Sequence, residues 1–146
     1  MSDRFSDVGS ARFTFALDQA WDVAAALIKA SGGRKIWLFE GEPGAGKTTL
    51  IKSITEALGG DPLLVNSPTF SIMNRYEVED GSLNHFDLYR TKSEAELLDI
   101  GILEYLESGD WCFIEWPERL GGLRPENCFV ISLEHESEGV RKIGFK

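Results

Sequence analysis

The stretch Gly41-Glu42-Pro43-Gly44-Ala45-Gly46-Lys47-Thr48 constrains this chain more than any other, because it fits the pattern G-x-x-x-x-G-K-S/T and has the required flanks. Before it, residues 35–39 form an apolar run of strand length. After it, across residues 48–58, Leu50, Ile51, Ile54, Ala57 and Leu58 recur at helical spacing. Strand, glycine loop and helix is the order that lets backbone N–H groups converge on an anion. Glycines at 41, 44 and 46 reach backbone angles closed to other residues, so successive N–H groups can face one concavity. The helix adds the free N–H groups of its first turn and the positive end of its dipole. In such a loop Lys47 reaches the β- and γ-phosphates of a nucleotide and the Thr48 hydroxyl ligates Mg²⁺. The plain alternative is a glycine turn with a surface lysine.

The 146 residues suit a single domain, 1–146, with residues 1–10 polar and flexible. A formal net charge of -9 opposes a role in coating nucleic acid, which needs clustered Lys and Arg, and suits docking to basic protein partners. No run approaches the ~18 apolar residues of a membrane span, and the first residues lack the layout of a secretory signal. A cytoplasmic location is therefore expected. Cys112 and Cys128 lie in apolar stretches without C-x-x-C spacing and read as reduced, buried thiols.

Around the loop the chain alternates short strands and helices. Residues 12–17 alternate like a strand, and Asp18 reads as the N-cap of a helix that ends at Gly32-Gly33. Leu63-Leu64-Val65 reads as a short buried strand after the turn at Pro62. Ser67-Pro68-Thr69-Phe70 follows, which is either a proline turn or a hydroxyl-bearing loop able to contact a metal or a γ-phosphate. Residues 70–78 and 82–89 flank Asp80-Gly81 as a hairpin. Alternation on the returning strand puts His85, Asp87 and Tyr89 on one face, as a polar face or as one in which Asp87 meets a metal.

Ser93-Glu94-Ala95-Glu96 is a capping box, opening a helix that breaks near Gly101 and resumes to about Glu107. Trp111-Cys112-Phe113-Ile114-Glu115 is an apolar strand with a carboxylate at its C-terminal end, where open parallel sheets bind ligands. An ionised Glu115 in that setting needs a metal or a water network, unless it is an exposed edge glutamate. Residues 117–127 read as a loop whose Arg119 and Arg124 are solvated or touch phosphate or a partner. Residues 128–134 and 140–145 close the chain as a second hairpin. The class is α/β, a mixed sheet with helices packed on it and two β-hairpins.

Four motifs in order, GEPGAGKTT at 41–49, SPTF at 67–70, HFDLYR at 85–90 and IEWPE at 114–118, resemble the TsaE family of bacterial ATPases over almost the whole chain. Glu42-Pro43 departs from the Asp-Leu more common there. The resemblance implies a P-loop NTPase fold, binding of ATP or ADP with Mg²⁺, and slow hydrolysis stimulated by partner proteins. The implied role is formation of threonylcarbamoyladenosine (t6A) in tRNA. The partners it implies are TsaD and TsaB, with any contact to tRNA confined to that complex. It makes Gly41, Glu42, Pro43, Gly44, Ala45, Gly46, Lys47, Thr48 and Thr49 the nucleotide-binding residues. Lys47, Asp87, Glu115 and Thr69 become catalytic, and Thr48, Glu115 and Asp87 become the metal ligands. Trp116 and Glu118 become partner-facing or nucleotide-adjacent. The rival functions are a small-molecule kinase, with Asp87 as base, and a nucleotide-gated binding module that does not hydrolyse productively.

Overall fold

A sheet that runs parallel at its centre and antiparallel at both margins organises the computed structural model, which describes residues 11–42, 44–66 and 72–146. Its strands are β1 (Ala11–Ala16), β2 (Ile36–Glu40), β3 (Met73–Val78), β4 (Gly81–Asp87), β5 (Trp111–Glu115), β6 (Phe129–Ser137) and β7 (Val140–Phe145), ordered β1-β7-β6-β2-β5-β4-β3. The central four, β6, β2, β5 and β4, are mutually parallel. The expected hairpins form the margins, β3 with β4 and β6 with β7, and β1 adds antiparallel to β7.

The central strands are apolar on both faces because both faces are covered. Trp37 and Phe39 of β2 point to one side, where they join Phe113, Phe129 and the apolar stripes of α1 (Ala20–Ala30) and α2 (Lys47–Ala57). Trp37 stacks on Phe113 with ring centroids 5.0 Å apart and meets Phe129 edge-on at 4.9 Å. Leu38 points to the other side, into a cluster with Phe86, Ile114 and Leu120 that is closed by α3 (Glu94–Asp99) and α4 (Ile102–Glu107). On β4, Leu83, Asn84, His85 and Phe86 are all buried, so neither face of that strand is the wet one.

Several local readings change. Leu63-Leu64-Val65 is not a buried strand: Pro62–Leu64 is a single 3-10 turn whose Leu63 is 89% exposed. Asp61 decides this, because its side chain accepts a hydrogen bond from the Leu63 N–H at 2.9 Å, ahead of a proline suited to a first turn. Asp18 does not cap α1; it lies inside a 3-10 turn, Leu17–Gln19, and Gln19 precedes the helix. Ser93 does cap α3, accepting from the Glu96 N–H at 3.3 Å, and the Glu96 carboxylate reaches back to the Lys92 N–H. The chain breaks between α3 and α4 at Gly101, with φ 80°. Residues 117–127 are partly ordered as a 3-10 segment, Pro117–Leu123. Both cysteines are buried free thiols, and burial pushes the Cys112 thiol up to about 11, which keeps it protonated. Residues 1–10 lie outside the described residues.

Candidate nucleotide site

The topology brings the C-terminal ends of β2, β5 and β4 side by side. In register, Phe39 pairs with Glu115, and Glu115 pairs with Asp87. Glu115 therefore sits beside the strand that feeds the glycine loop, and Asp87, 28 positions away in sequence, sits one strand further out. This is the edge at which open parallel sheets bind ligands.

The loop has its shape for identifiable steric reasons. Gly41 has φ 149°, and a Cβ there would lie 2.4 Å from the Leu133 carbonyl oxygen. Gly46, with φ 99°, stands at the N-cap of α2 in a left-handed conformation, so no cap side chain covers the first-turn N–H groups. Lys47 is buried, and its ammonium donates to the Gly41 carbonyl. The same ammonium lies 3.9 Å from Glu115 Oε1 and 4.8 Å from the centre of the Trp116 ring.

Gly46, Lys47, Glu115 and Trp116 line a cavity of about 530 Å³ together with Thr48, Thr49, Asp87 and Tyr89. A second cavity of about 580 Å³ adjoins the other side of the loop, between Gly41, Glu42, Gly44, Ala45 and residues Leu133 to His135 of β6. Both lie in the size range of small-molecule sites. Of the residues expected to act here, Gly41, Glu42, Gly44, Ala45, Gly46, Lys47, Thr48, Thr49, Asp87 and Glu115 converge on the two cavities. Pro43, Thr69 and the rest of Ser67-Pro68-Thr69-Phe70 lie outside the described residues. Glu118 is exposed beyond the cavity, and Arg119 donates to the Thr91 carbonyl at 3.4 Å.

Glu115 is the most enclosed carboxylate of the group, and its partners are side chains: His85 Nε2 lies 2.7 Å from Oε2, while Oε1 faces Lys47. Asp87 is half-buried and accepts from the Tyr89 N–H at 3.1 Å. Burial raises its pKa, the Tyr89 hydrogen bond opposes that, and the charge of Glu115 adds to the rise. An acid with a raised folded-state pKa holds its proton more tightly in the folded chain than in the unfolded one. Its contribution to stability is therefore present at low pH and is lost as pH rises through the folded pKa. Asp87→Asn, which cannot ionise, is expected to melt at a higher temperature than the parent at neutral pH without nucleotide. The gain should vanish below about pH 4; thermal melts across pH check this.

Two features here were not read from the sequence: the backbone conformation of Trp116, a residue the resemblance implied to be partner-facing or nucleotide-adjacent, and the role of Arg141. Trp116 has φ 59° and ψ 53°, the only positive φ outside glycine among the described residues, and it precedes a proline. Bulky residues avoid that region, and strain of this kind collects at functional sites. The turn lays the indole against Tyr89, with ring centroids 4.7 Å apart, beside the Lys47 ammonium. The other feature is Arg141 of β7, whose Nε donates to the Ala45 carbonyl at 2.8 Å and whose Nη2 donates to the Gly44 carbonyl at 3.4 Å. Nη1 donates to the carbonyls of Ser137 and Val140. The guanidinium thus ties the phosphate loop to the last hairpin. Alternation in Val140–Phe145 carried the signal, since Arg141 shares its face with Ile143 and Phe145, both buried. Arg141→Ala is expected to weaken nucleotide binding about tenfold, or ~1.4 kcal/mol, by freeing those carbonyls. Unchanged affinity in calorimetry would show that the loop holds its own shape.

A mixed sheet with a glycine loop between β2 and α2, and carboxylates on the neighbouring strand ends, defines the α/β fold of P-loop NTPases. Consistent with this, the crystal structure of YdiB from Bacillus subtilis has the same fold, with a TM-score of 0.68 and 24% identity over 93% of this chain and 84% of that one. The model of the family described as threonylcarbamoyl adenosine biosynthesis protein TsaE matches residues 16–143, and the chain belongs to the TsaE family. It is 33% identical to the tRNA threonylcarbamoyladenosine biosynthesis protein TsaE of Haemophilus influenzae, over 77% of this chain and 71% of that protein. It is 37% identical to the TsaE of Bacillus subtilis, over 73% and 65% respectively. For the TsaE of Aquifex aeolicus the figure is 32%, over 86% and 87%. Among the described residues no helix is long and apolar enough to cross a membrane.

Proposed function

We propose that this protein binds ATP or ADP with Mg²⁺ at the loop of residues 41–48, hydrolyses ATP slowly, and serves the formation of threonylcarbamoyladenosine in tRNA with TsaD and TsaB as partners. The observation that carries the proposal is the convergence of Lys47, Thr48, Asp87 and Glu115 on one cavity beside an uncapped helix N-terminus. Loop N–H groups and Lys47 would hold the β- and γ-phosphates, with the first turn of α2 adding its dipole. Thr48, Glu115 and Asp87 supply hard oxygen donors, few enough to suit Mg²⁺, which favours one or two carboxylates plus phosphate and retained water. When bound, that ion neutralises charge on the γ-phosphate oxygens. Thr69 is assigned as a γ-phosphate contact on family resemblance alone.

The chain's own contribution is positioning. Arg141 holds two loop carbonyls, which would leave the loop N–H groups free for phosphate, and Trp116 covers the lysine from one side. Among the described cavity-lining residues Arg141 is the one arginine, and it is already engaged with backbone. Its use there explains an expected low intrinsic turnover and leaves room for a charge or an ordering effect supplied by partners. Steady-state kinetics with ATP and Mg²⁺ test the proposal: hydrolysis is expected to be slow alone and to rise on adding TsaD with TsaB. An unchanged rate with both present would overturn the partner assignment. A phosphorylated metabolite among the products would instead make the protein a kinase.

A further inference from the structure

We propose that His85 is the positioning residue for Glu115, and that Tyr76 holds His85 in that role by anchoring it to the backbone at Asn66. The proposal rests on the nucleotide-site reading above and adds to it how the buried carboxylate is aimed. Register places the parts. His85 pairs across the sheet with Phe113 of β5 and with Asn74 of β3, so Glu115 and Tyr76 each lie two residues further along on the same face. His85 is fully buried and Tyr76 nearly so.

His85 Nε2 lies 2.7 Å from Glu115 Oε2, and because an ionised carboxylate only accepts hydrogen bonds, the proposed arrangement has the Nε2–H donating to that oxygen. That commits one carboxylate oxygen to the strand interior and leaves Oε1 turned toward Lys47 and the cavity. A glutamate carboxylate otherwise rotates in a broad, roughly two-fold well. The imidazole removes that freedom. On the far side of the ring, Nδ1 lies 3.2 Å from the Tyr76 hydroxyl. The hydroxyl is held in turn, 3.1 Å from the Asn66 carbonyl and 3.4 Å from both the Asn66 N–H nitrogen and Asn74 Nδ2. Asn74 Nδ2 also donates to the Asn66 carbonyl at 3.1 Å. A continuous buried chain, Glu115 to His85 to Tyr76 to Asn66, therefore ties the carboxylate of β5 to the backbone beyond β3, at the residue directly before Ser67 in sequence. Partners of this kind behind a metal ligand are typically worth 10- to 100-fold in activity or metal affinity.

Three variants and one spectrum test this. His85→Leu is expected to lower kcat about 10- to 100-fold while changing affinity for nucleotide without Mg²⁺ by no more than about twofold. His85→Gln, whose amide nitrogen can replace Nε2 as donor, should recover much of that kcat. Tyr76→Phe should lower kcat several-fold with its ring packing intact. A residue that served only stability would show neither the split between kcat and affinity nor the rescue. Unchanged kcat in a folded His85→Leu, or a His85→Gln no better than His85→Leu, would overturn the proposal.

Long-range proton–nitrogen NMR of the His85 ring reads the arrangement without relying on turnover, and its Nε2 readout needs the parent protein alone. A protonated Nε2 in the parent, with an Nδ1 resonance displaced in Tyr76→Phe, is the expected result. An unprotonated Nε2, or an Nδ1 indifferent to Tyr76, would refute it. Should the parent turn over no nucleotide, the hydrolysis reading fails, and the spectrum alone decides how Glu115 is held.

Discussion

Lys47→Ala is expected to weaken binding of ATP and ADP about 100-fold, or ~3 kcal/mol, measured by titration calorimetry. The ammonium is the cationic side chain at the centre of the cavity: it bridges the loop carbonyl of Gly41 to the neighbourhood of Glu115, with 3.9 Å to Oε1. Its removal takes away the charge that would meet the β- and γ-phosphates and leaves Glu115 with His85 alone. The second effect is a cost to the free protein, because an ion pair with side chains about 95% buried is broken on one side only. Affinity should therefore be compared on folded variant protein, with circular dichroism and a thermal melt as controls. Near-normal affinity in a folded variant would remove the phosphate loop as the nucleotide site.

Glu115→Gln should separate binding from chemistry. Glutamine has nearly the same shape, and its carbonyl can still accept from His85 Nε2, so the buried end of β5 is expected to remain intact. What it lacks is the negative charge facing the cavity beside Lys47 and Asp87. Turnover of ATP should fall about 100-fold or more, while nucleotide affinity measured without Mg²⁺ changes little. Replacing both acids, Asp87→Asn with Glu115→Gln, should cost less than the sum of the single effects, since both would serve one ion. Turnover equal to the parent in Glu115→Gln would take that carboxylate off the catalytic list.

The parts of the site that were legible early are those whose requirement is local. Gly41 and Gly46 are needed because a Cβ would strike the Leu133 carbonyl or force a strained left-handed residue, and such a demand appears directly as a glycine at a given spacing. The same holds for Ser93, whose hydroxyl caps the helix that starts beside it, and for Gly101, which breaks that helix. Leu63 and Leu64 show the opposite case. Three apolar residues carry too little periodicity to tell a strand from a turn, and one carboxylate at Asp61 outweighed their hydrophobicity.

His85 was visible as part of a polar face on an alternating strand, but alternation alone could not tell solvent from a buried neighbour. With β3 on one side of β4 and β5 on the other, that face meets Tyr76 and Glu115 instead of water. Arg141 was harder to see, since it lies 96 positions from the Ala45 carbonyl it holds. Alternation marks Arg141 as sharing the buried face of its strand, but no short-range pattern names its partner.

The amino-acid sequence by itself therefore determined that a phosphate-type loop joins a strand to a helix, that two hairpins make the sheet a mixed one, and that a carboxylate closes the apolar strand ending at Glu115. Each of these depends on backbone angles or side-chain alternation within about ten residues. Tertiary structure alone decided that β4, β5 and β2 are neighbours, that Glu115 is shared between His85 and Lys47, and that Arg141 braces the loop. Strand order follows from burying both faces of the sheet at once, a condition on the whole chain that no single stretch contains.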